Sequence, residues 1–458
     1  MKKLLLVSLA VACASGAAFA EYTGGTAAIV GDFKNKGYSL SIEWGSDAML
    51  GNANVRAGIG YGDHFYMIDN VANTISVYGQ FGFVKDISVA AAPFNTKGWV
   101  SATADDAGHV LLRCADAGWY GSGAYAGAYY PQDGHNLIVI DGATQQPIGQ
   151  VRMNDGTPGR YDALGHVHGD VTAGYWDLIT TNDSGVGEDY IFDGIEVGNV
   201  GVESFQAPIH SDFANSGAGA AKTTGSAQIF GDLDEDGFYT KMAFYSNPVI
   251  GITGFNTAKA LGNGIRLFEY AYDEDGVQAW RPTDKFFVTP QHSSNNGFII
   301  FNLQGTDYIA YVSGEGAGGA EGANMPCSAD AIAIAEVSYT DTPVSNPEKD
   351  DATLVARLYG QLNEAEAQQY LIKSNFTCFN IEDVPGDDCS KYIYIFCQQS
   401  PMVKLKFTVP ASSSVNNVAV DNNNAPVEYF NLQGVRIAEP QNGIFIRRQG
   451  DKATKVIR

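Results

Sequence analysis

Short apolar runs separated by polar, glycine-bearing turns recur along most of the chain. Four segments share one form, an Asp/Asn-rich turn with a glycine followed by an apolar strand. They are ATADDAGHVLLRCAD with Gly108, HGDVTAGYWDLITTN with Gly174, FGDLDEDGFYTKMAFYS with Gly237 and QHSSNNGFIIFNLQG with Gly297, and the steps between these glycines are 66, 63 and 60 residues. GIGYGDHFYMIDN around Gly62 reads as an earlier copy, and Asp387 to Val409 as a last one. Further strands lie between them, over Asn136 to Met153, Ile265 to Pro282 and Asp307 to Gly314. Three or four strands in about 60 residues is the size of one propeller blade with long loops. The pattern predicts an all-β chain: a β-propeller of about six blades between Tyr22 and Pro410, five or seven if the ends divide differently. Radial repetition leaves such a chain only short, protected strand edges.

One stretch departs from the pattern. Asp350 to Ser374 carries good helix formers behind an acidic cap, with Gly360 interrupting it. It predicts a strand to about Leu358 and a short helix around Glu364 to Tyr370. Pro410 to Asn417 reads as a linker into a C-terminal module, 411–458.

Composition supports the β reading. The 458 residues include 53 glycines and 24 each of Tyr and Phe, which suits many short strands and turns. The formal net charge is −23. Such a surface repels nucleic acid and anionic membrane, and favours divalent cations and neutral ligands.

The first residues read as an export signal: Lys2 and Lys3, an apolar run from Leu4 to Ala12, then the small-x-small site Ala18-Phe19-Ala20. Cleavage before Glu21 makes 1–20 a signal peptide and 21–410 the propeller. A lipoprotein signal ending at Cys13 is the rival, but Ala10-Val11-Ala12 lacks the preferred leucine. Cleavage would remove two lysines and no acid, so the 28 basic residues fall to 26 against 51 acidic ones, about −25. No other segment approaches the roughly 20 apolar residues of a membrane span. The expected location is extracellular or the outer cell surface.

The last residues form a small antiparallel pattern, with strands at Val427 to Asn431, Val435 to Ala438, Ile444 to Arg448 and Thr454 to Ile457. Tyr429, Asn431, Leu432, Gln433, Gly434, Arg436, Gly443, Ile444, Ile446, Gly450, Lys452, Lys455 and Val456 carry a pattern that resembles the C-terminal sorting domains of bacterial type IX secretion cargo. The resemblance covers about the last 45 residues. It implies an address and a partner, the secretion machinery, but no activity.

Five cysteines remain after cleavage: Cys114, Cys327, Cys378, Cys389 and Cys397. An odd number leaves at least one unpaired within the chain. The last three are close enough in sequence for a disulfide among them to be expected. The absence of CxxC disfavours a zinc ribbon.

The most chemical stretch is QIFGDLDEDGFYTKMAFYS, Gln228 to Ser246. Asp232, Asp234 and Asp236, followed by Gly237, have the spacing of oxygen ligands at positions 1, 3 and 5 of a calcium loop, with the Phe238 carbonyl at position 7. Ala243 stands where an EF-hand needs Glu, and the flanks read as strands. Phe230-Gly231-Asp232 resembles instead the loop of FG-GAP-type calcium-bearing propeller repeats, whose later acid is Thr240 here. That departure removes one strong ligand. The expected cofactor is calcium, and the alternative is a solvated acidic turn. A catalytic carboxylate pair is disfavoured, because three acids on one turn all ionise unless something buries them.

Two further stretches carry candidate chemistry. His166 and His168 of HVH would share one face of a strand, with Asp170 near, so a metal site is conceivable; local hydrogen bonding is the preferred reading. Trp119, Tyr120, Tyr125, Tyr129 and Tyr130 stand in a glycine-rich loop and could stack on sugar rings or peptides, or pack over a blade end. HExxH, GxSxG, the P-loop and the Rossmann fingerprint do not occur. The functional expectation is an exported propeller that binds glycan or an extracellular protein. A polysaccharide-acting hydrolase with carboxylates at the propeller channel is the alternative.

Overall fold

In Thr74–Gly79, TISVYG, every second residue is buried, as a strand with one covered face requires. In Phe298–Leu303, FIIFNL, the first four residues are all buried, as a strand covered on both faces requires. These two patterns organise the molecule. The computed structural model describes residues 25–49, 52, 55–69, 74–88, 101–115, 135–153, 166–181, 187–193, 204–207, 227–235, 239–246, 264–272, 274–276, 278–288, 298–313, 331–337, 354–359, 377–397, 401–411, 427–431, 436–437, 444–449 and 452–457. They fall into two compact units, within 1–410 and 411–458.

The first unit begins with strands β1 (Thr26–Ile29) and β2 (Ser39–Ser46), separated by a single 3-10 turn at Gly31–Phe33. Among the described residues six antiparallel sheets follow in chain order. The first holds β3 (Val55–Tyr61), β4 (His64–Asp69), β5 (Thr74–Gly79) and β6 (Gly82–Ser88). The second holds β7 (Ser101–Ala104), β8 (His109–Ala115), β9 (His135–Asp141) and β10 (Gln146–Met153). The third holds β11 (His168–Asp170), β12 (Ala173–Thr181), β13 (Gly187–Asp193) and β14 (Ser204–Ala207). The fourth holds β15 (Ala227–Leu233), β16 (Tyr239–Ser246), β17 (Gly264–Tyr272) and β18 (Gln278–Val288). The fifth holds β19 (Phe298–Leu303), β20 (Thr306–Ser313), β21 (Ala331–Glu336) and β22 (Leu354–Tyr359), with β1 added outside β22. The sixth holds β23 (Thr377–Val384), β24 (Asp387–Cys397) and β25 (Met402–Thr408). Its outer strand is β2, paired from Ser39↔Thr408 to Ser46↔Met402.

Each sheet meets the next. Ile59, Ile68 and Val77 of the first pack with Val110, Leu112 and Ile140 of the second. Phe298, Ile300 and Tyr311 of the fifth form a cluster that reaches Phe230 of the fourth. The opposite face of the fifth, through Ile299, Phe301 and Ile334, meets Phe379, Leu405 and Phe407 of the sixth. Tyr394 and Phe396 of the sixth then pack on Phe65 and Met67 of the first. Backbone hydrogen bonds join the second and third sheets, from Val167 N–H to Ala104 O at 3.2 Å and from Asp106 N–H to Gly169 O at 3.1 Å. The His168 ring bonds the Gly231 carbonyl, joining the third and fourth. The succession of neighbours therefore returns to its start, a propeller-like arrangement.

Close packing constrains particular glycines. A Cβ on Gly142 would lie 2.2 Å from the Tyr61 ring, and one on Gly108 would lie 2.1 Å from its hydroxyl. Gly108, at φ +98, also needs the left-handed region.

Some expectations are corrected. Gly174 lies inside β12, and the turn before it falls at Val171 and Thr172. Cys378 and Cys389 are thiols, so the disulfide expected among Cys378, Cys389 and Cys397 does not form. Gly237, Gly297 and the helix expected at 364–370 lie outside the described residues.

The second unit is one four-stranded antiparallel sheet. Its strands are β26 (Val427–Phe430), β27 (Arg436–Ile437), β28 (Ile444–Gln449) and β29 (Lys452–Ile457), in the order β27-β26-β28-β29. No helix among the described residues is long and apolar enough to cross a membrane.

Candidate functional site

Acids and imidazoles concentrate where the first hairpin of the second sheet meets the third sheet. Asp105 follows β7 and caps its own turn. Its Oδ1 accepts from Ala107 N–H at 3.1 Å and His109 N–H at 2.7 Å. Its Oδ2 accepts from Val171 N–H of the third sheet at 2.9 Å and lies 2.8 Å from His109 Nδ1. The Asp105 side chain is fully buried. Asp170 closes the group: its Oδ1 accepts from the backbone and hydroxyl of Thr172 at 2.8 and 2.7 Å and stands 3.6 Å from His109 Nδ1. One donor atom from each of Asp105, His109 and Asp170 lies within 4.8 Å of the other two. The hydrogen bond to Asp105 is the main cause that raises His109 above the ordinary histidine range; burial opposes it, and the charges of Asp105, Asp170 and Asp141 reinforce it.

Asp106 faces a separate set. Its carboxylate accepts from His166 Nε2 at 3.0 Å, from Gly169 N–H at 2.9 Å and from His168 Nδ1. His168 Nε2 donates to Gly231 O at 2.8 Å. Both His168 nitrogens thus face acceptors, and a ring carrying both protons satisfies both. Burial pushes the Asp106 carboxyl up, but hydrogen bonds from the two imidazoles outweigh it and hold the group far below the ordinary carboxylate range. The HVH segment acts here as the hydrogen-bonding device the sequence favoured. Asp170 does not join it, and turns to His109 instead.

A second polar cluster lies between the sixth and first sheets. Glu382 accepts from Gly62 N–H at 2.6 Å and from the Tyr394 hydroxyl at 3.0 Å. The same hydroxyl accepts from Asp63 N–H at 3.1 Å. The buried Lys404 ion-pairs with Asp63, and its ammonium sits 3.7 Å from the Tyr392 ring centroid. Burial is the main cause that raises Glu382 above the ordinary glutamate range; Gly62 N–H, the Tyr394 hydroxyl and Lys404 pull it back.

The candidate calcium loop is described in part. Asp232 lies in β15, Asp234 follows that strand, and Thr240 lies in β16. The register shifts between Phe230↔Lys241 and Leu233↔Tyr239. Gly231 lies within that irregularity at φ +94, and its carbonyl meets His168. Asp236 and Phe238 lie outside the described residues, as do Trp119, Tyr120, Tyr125, Tyr129 and Tyr130. Sequence reading did not single out Asp105, Asp106 and His109. Their one local signal is adjacent acids before Gly-His at the head of an apolar strand.

No family model matches the chain, and no curated protein does. Among solved structures it is similar to a DUF4623 family protein from Bacteroides eggerthii, at 14% identity and TM-score 0.44, over 84% of this chain and 78% of that one. It is also similar to a fucose-specific lectin from Aleuria aurantia, at 10% identity and TM-score 0.35, over 78% and 95%. A GH43_1 enzyme from Xanthomonas citri is similar at 12% identity and TM-score 0.33, over 75% and 93%. Identities and scores this low carry no argument about what this chain binds or does.

Proposed function

We propose that the chain is an exported six-bladed β-propeller that acts as a binding module for a glycan or an extracellular protein, its C-terminal unit serving as a sorting address. The observation that carries the reading is the completion of the last sheet by β2, from the start of the chain. In this reading that pairing closes the succession of sheets into a ring. A closed ring is a rigid frame whose inter-strand loops form a ligand surface. The polar turns support a scaffolding role: Asp105, Asp106 and Glu382 each accept backbone N–H groups of a neighbouring sheet. In this reading calcium rigidifies the Asp232 loop and the aromatic loop with Trp119 and Tyr120 meets the ligand.

The test is a glycan array probed with the purified mature chain, in calcium and in chelator. Retention of a defined glycan class without release of sugar supports the binding module, and loss in chelator assigns calcium a role. Sugar release would favour the hydrolase. Absence of any glycan binding would redirect the search to a protein ligand.

A further inference from the structure

We propose that Asp105, His109 and Asp170 form a site for one divalent transition-metal cation of the zinc class, held between the second and third sheets. The donors are one imidazole nitrogen and two carboxylate oxygens, all within 4.8 Å of one another. Ligands at zinc–nitrogen and zinc–oxygen distances in a tetrahedral shell stand roughly 3.4 Å apart. His109 Nδ1 lies 3.6 Å from Asp170 Oδ1, close to that spacing, and 2.8 Å from Asp105 Oδ2, a gap that must open by about 0.6 Å to reach the tetrahedral spacing.

The surroundings suit a cation. The carboxylate of Asp105 is fully buried, and three backbone N–H groups, of Ala107, His109 and Val171, orient it independently of the His109 ring. His109 Nδ1 can therefore exchange its proton for a metal while the turn keeps its shape. Asp170 is oriented by Thr172. Side-chain exposure rises from 0% at Asp105 through 15% at His109 to 38% at Asp170, so the group has a closed floor and one open side where water completes the shell. At the same junction His166, with 8% of its side chain exposed, holds a buried Nδ1 that has no hydrogen-bond partner among the described residues. An imidazole among the ligands selects the zinc class over calcium and magnesium, which take oxygen. Binding displaces the Nδ1 proton into solvent.

The test uses the full mature chain, stripped with chelator and dialysed, then titrated with Zn²⁺ by calorimetry in excess calcium, which fills oxygen-only sites. One equivalent is expected, with visible d–d absorption when Co²⁺ replaces Zn²⁺. Asp170→Asn, at a half-exposed position that leaves the fold intact, should weaken uptake at least tenfold, and His109→Gln should abolish it. His64→Gln, on the first sheet, should change neither. Failure to take up a stoichiometric ion would overturn the proposal, as would uptake that Asp170→Asn leaves unchanged. In either case the three residues are a hydrogen-bonded brace only.

Discussion

The side chain of Gln228 bonds both backbone groups of Ile300. Its Nε2 donates to the Ile300 carbonyl at 2.8 Å, and Ile300 N–H donates to its Oε1 at 2.6 Å. Gln228 lies in β15 and Ile300 in β19, so one buried side chain acts as a strand substitute between two sheets. Truncation to alanine leaves a buried donor and a buried acceptor unsatisfied, at about 1–3 kcal/mol each. Gln228→Ala should therefore lower stability by about 2–6 kcal/mol. A melting temperature equal to that of the parent chain would sink this account.

Tyr61 of the first sheet occupies the space that side chains on Gly108 and Gly142 of the second would need. Gly142→Ala is the cleaner probe, because Gly108 adds left-handed strain. Gly142→Ala should destabilise the chain, and Tyr61→Ala in the same chain should recover part of the loss. The coupling in a double-mutant cycle should reach about 0.5–3 kcal/mol, as for residues in contact. Strictly additive effects would mean that the ring moves aside at no cost.

Local chemistry in the sequence marks hairpin turns well and sheet partners poorly. Gly62, Gly108 and Gly386 stand at first-hairpin turns with positive φ, and the sequence flags all three regions by turn residues before an apolar strand. Gly174 misleads because the pair Val171-Thr172 makes the turn and carries no glycine. The β2–β25 pairing joins residues more than 350 positions apart, and no local period encodes that distance. The same holds for the site. HVH is conspicuous, but its partner Asp106 is some 60 residues earlier, and Asp170 chooses His109 over the histidines beside it.

Glu382 gives the pH dependence a sign. Its carboxyl is raised, with burial the main cause, so the folded chain binds its proton more tightly than the unfolded chain. The associated stability is fully present below the unfolded glutamate value and is lost as pH rises through the higher folded one. Melts of the parent chain and of Glu382→Gln, taken from roughly pH 4 upward, should differ in slope, with the parent losing more stability as pH rises. Parallel curves would show that this carboxyl does not titrate differently on folding.

Lys404 and Asp63 are unequal partners. The lysine side chain is 6% exposed and the aspartate 68%. Replacing the buried ammonium by an apolar chain of similar length removes a desolvation cost together with the pair, whereas removing the carboxylate strands the ammonium. Lys404→Met should therefore cost less stability than Asp63→Asn, a change that keeps the left-handed tolerance required at φ +64. Equal melting temperatures for the two variants would instead place the interaction in the contact between Lys404 and Tyr392.

In the proposed propeller, closure of the ring rests on β2, the outer strand of the sixth sheet. With residues 25–49 deleted, the outer edge of β25 loses its partner, β22 loses β1, and Trp44 no longer meets Phe65, 5.5 Å away between ring centroids. An apolar edge of this kind invites pairing with other chains. Loss of the buried Trp44 alone is a large-to-small change of about 3–5 kcal/mol. The deleted chain should lose its cooperative melt and associate, and a synthetic 25–49 peptide supplied in trans should restore both, because it can pair with β25 without any covalent link. A deleted chain that melts like the parent and stays monomeric would show that the sixth sheet stands without its outer strand, and would remove the observation on which the ring reading depends.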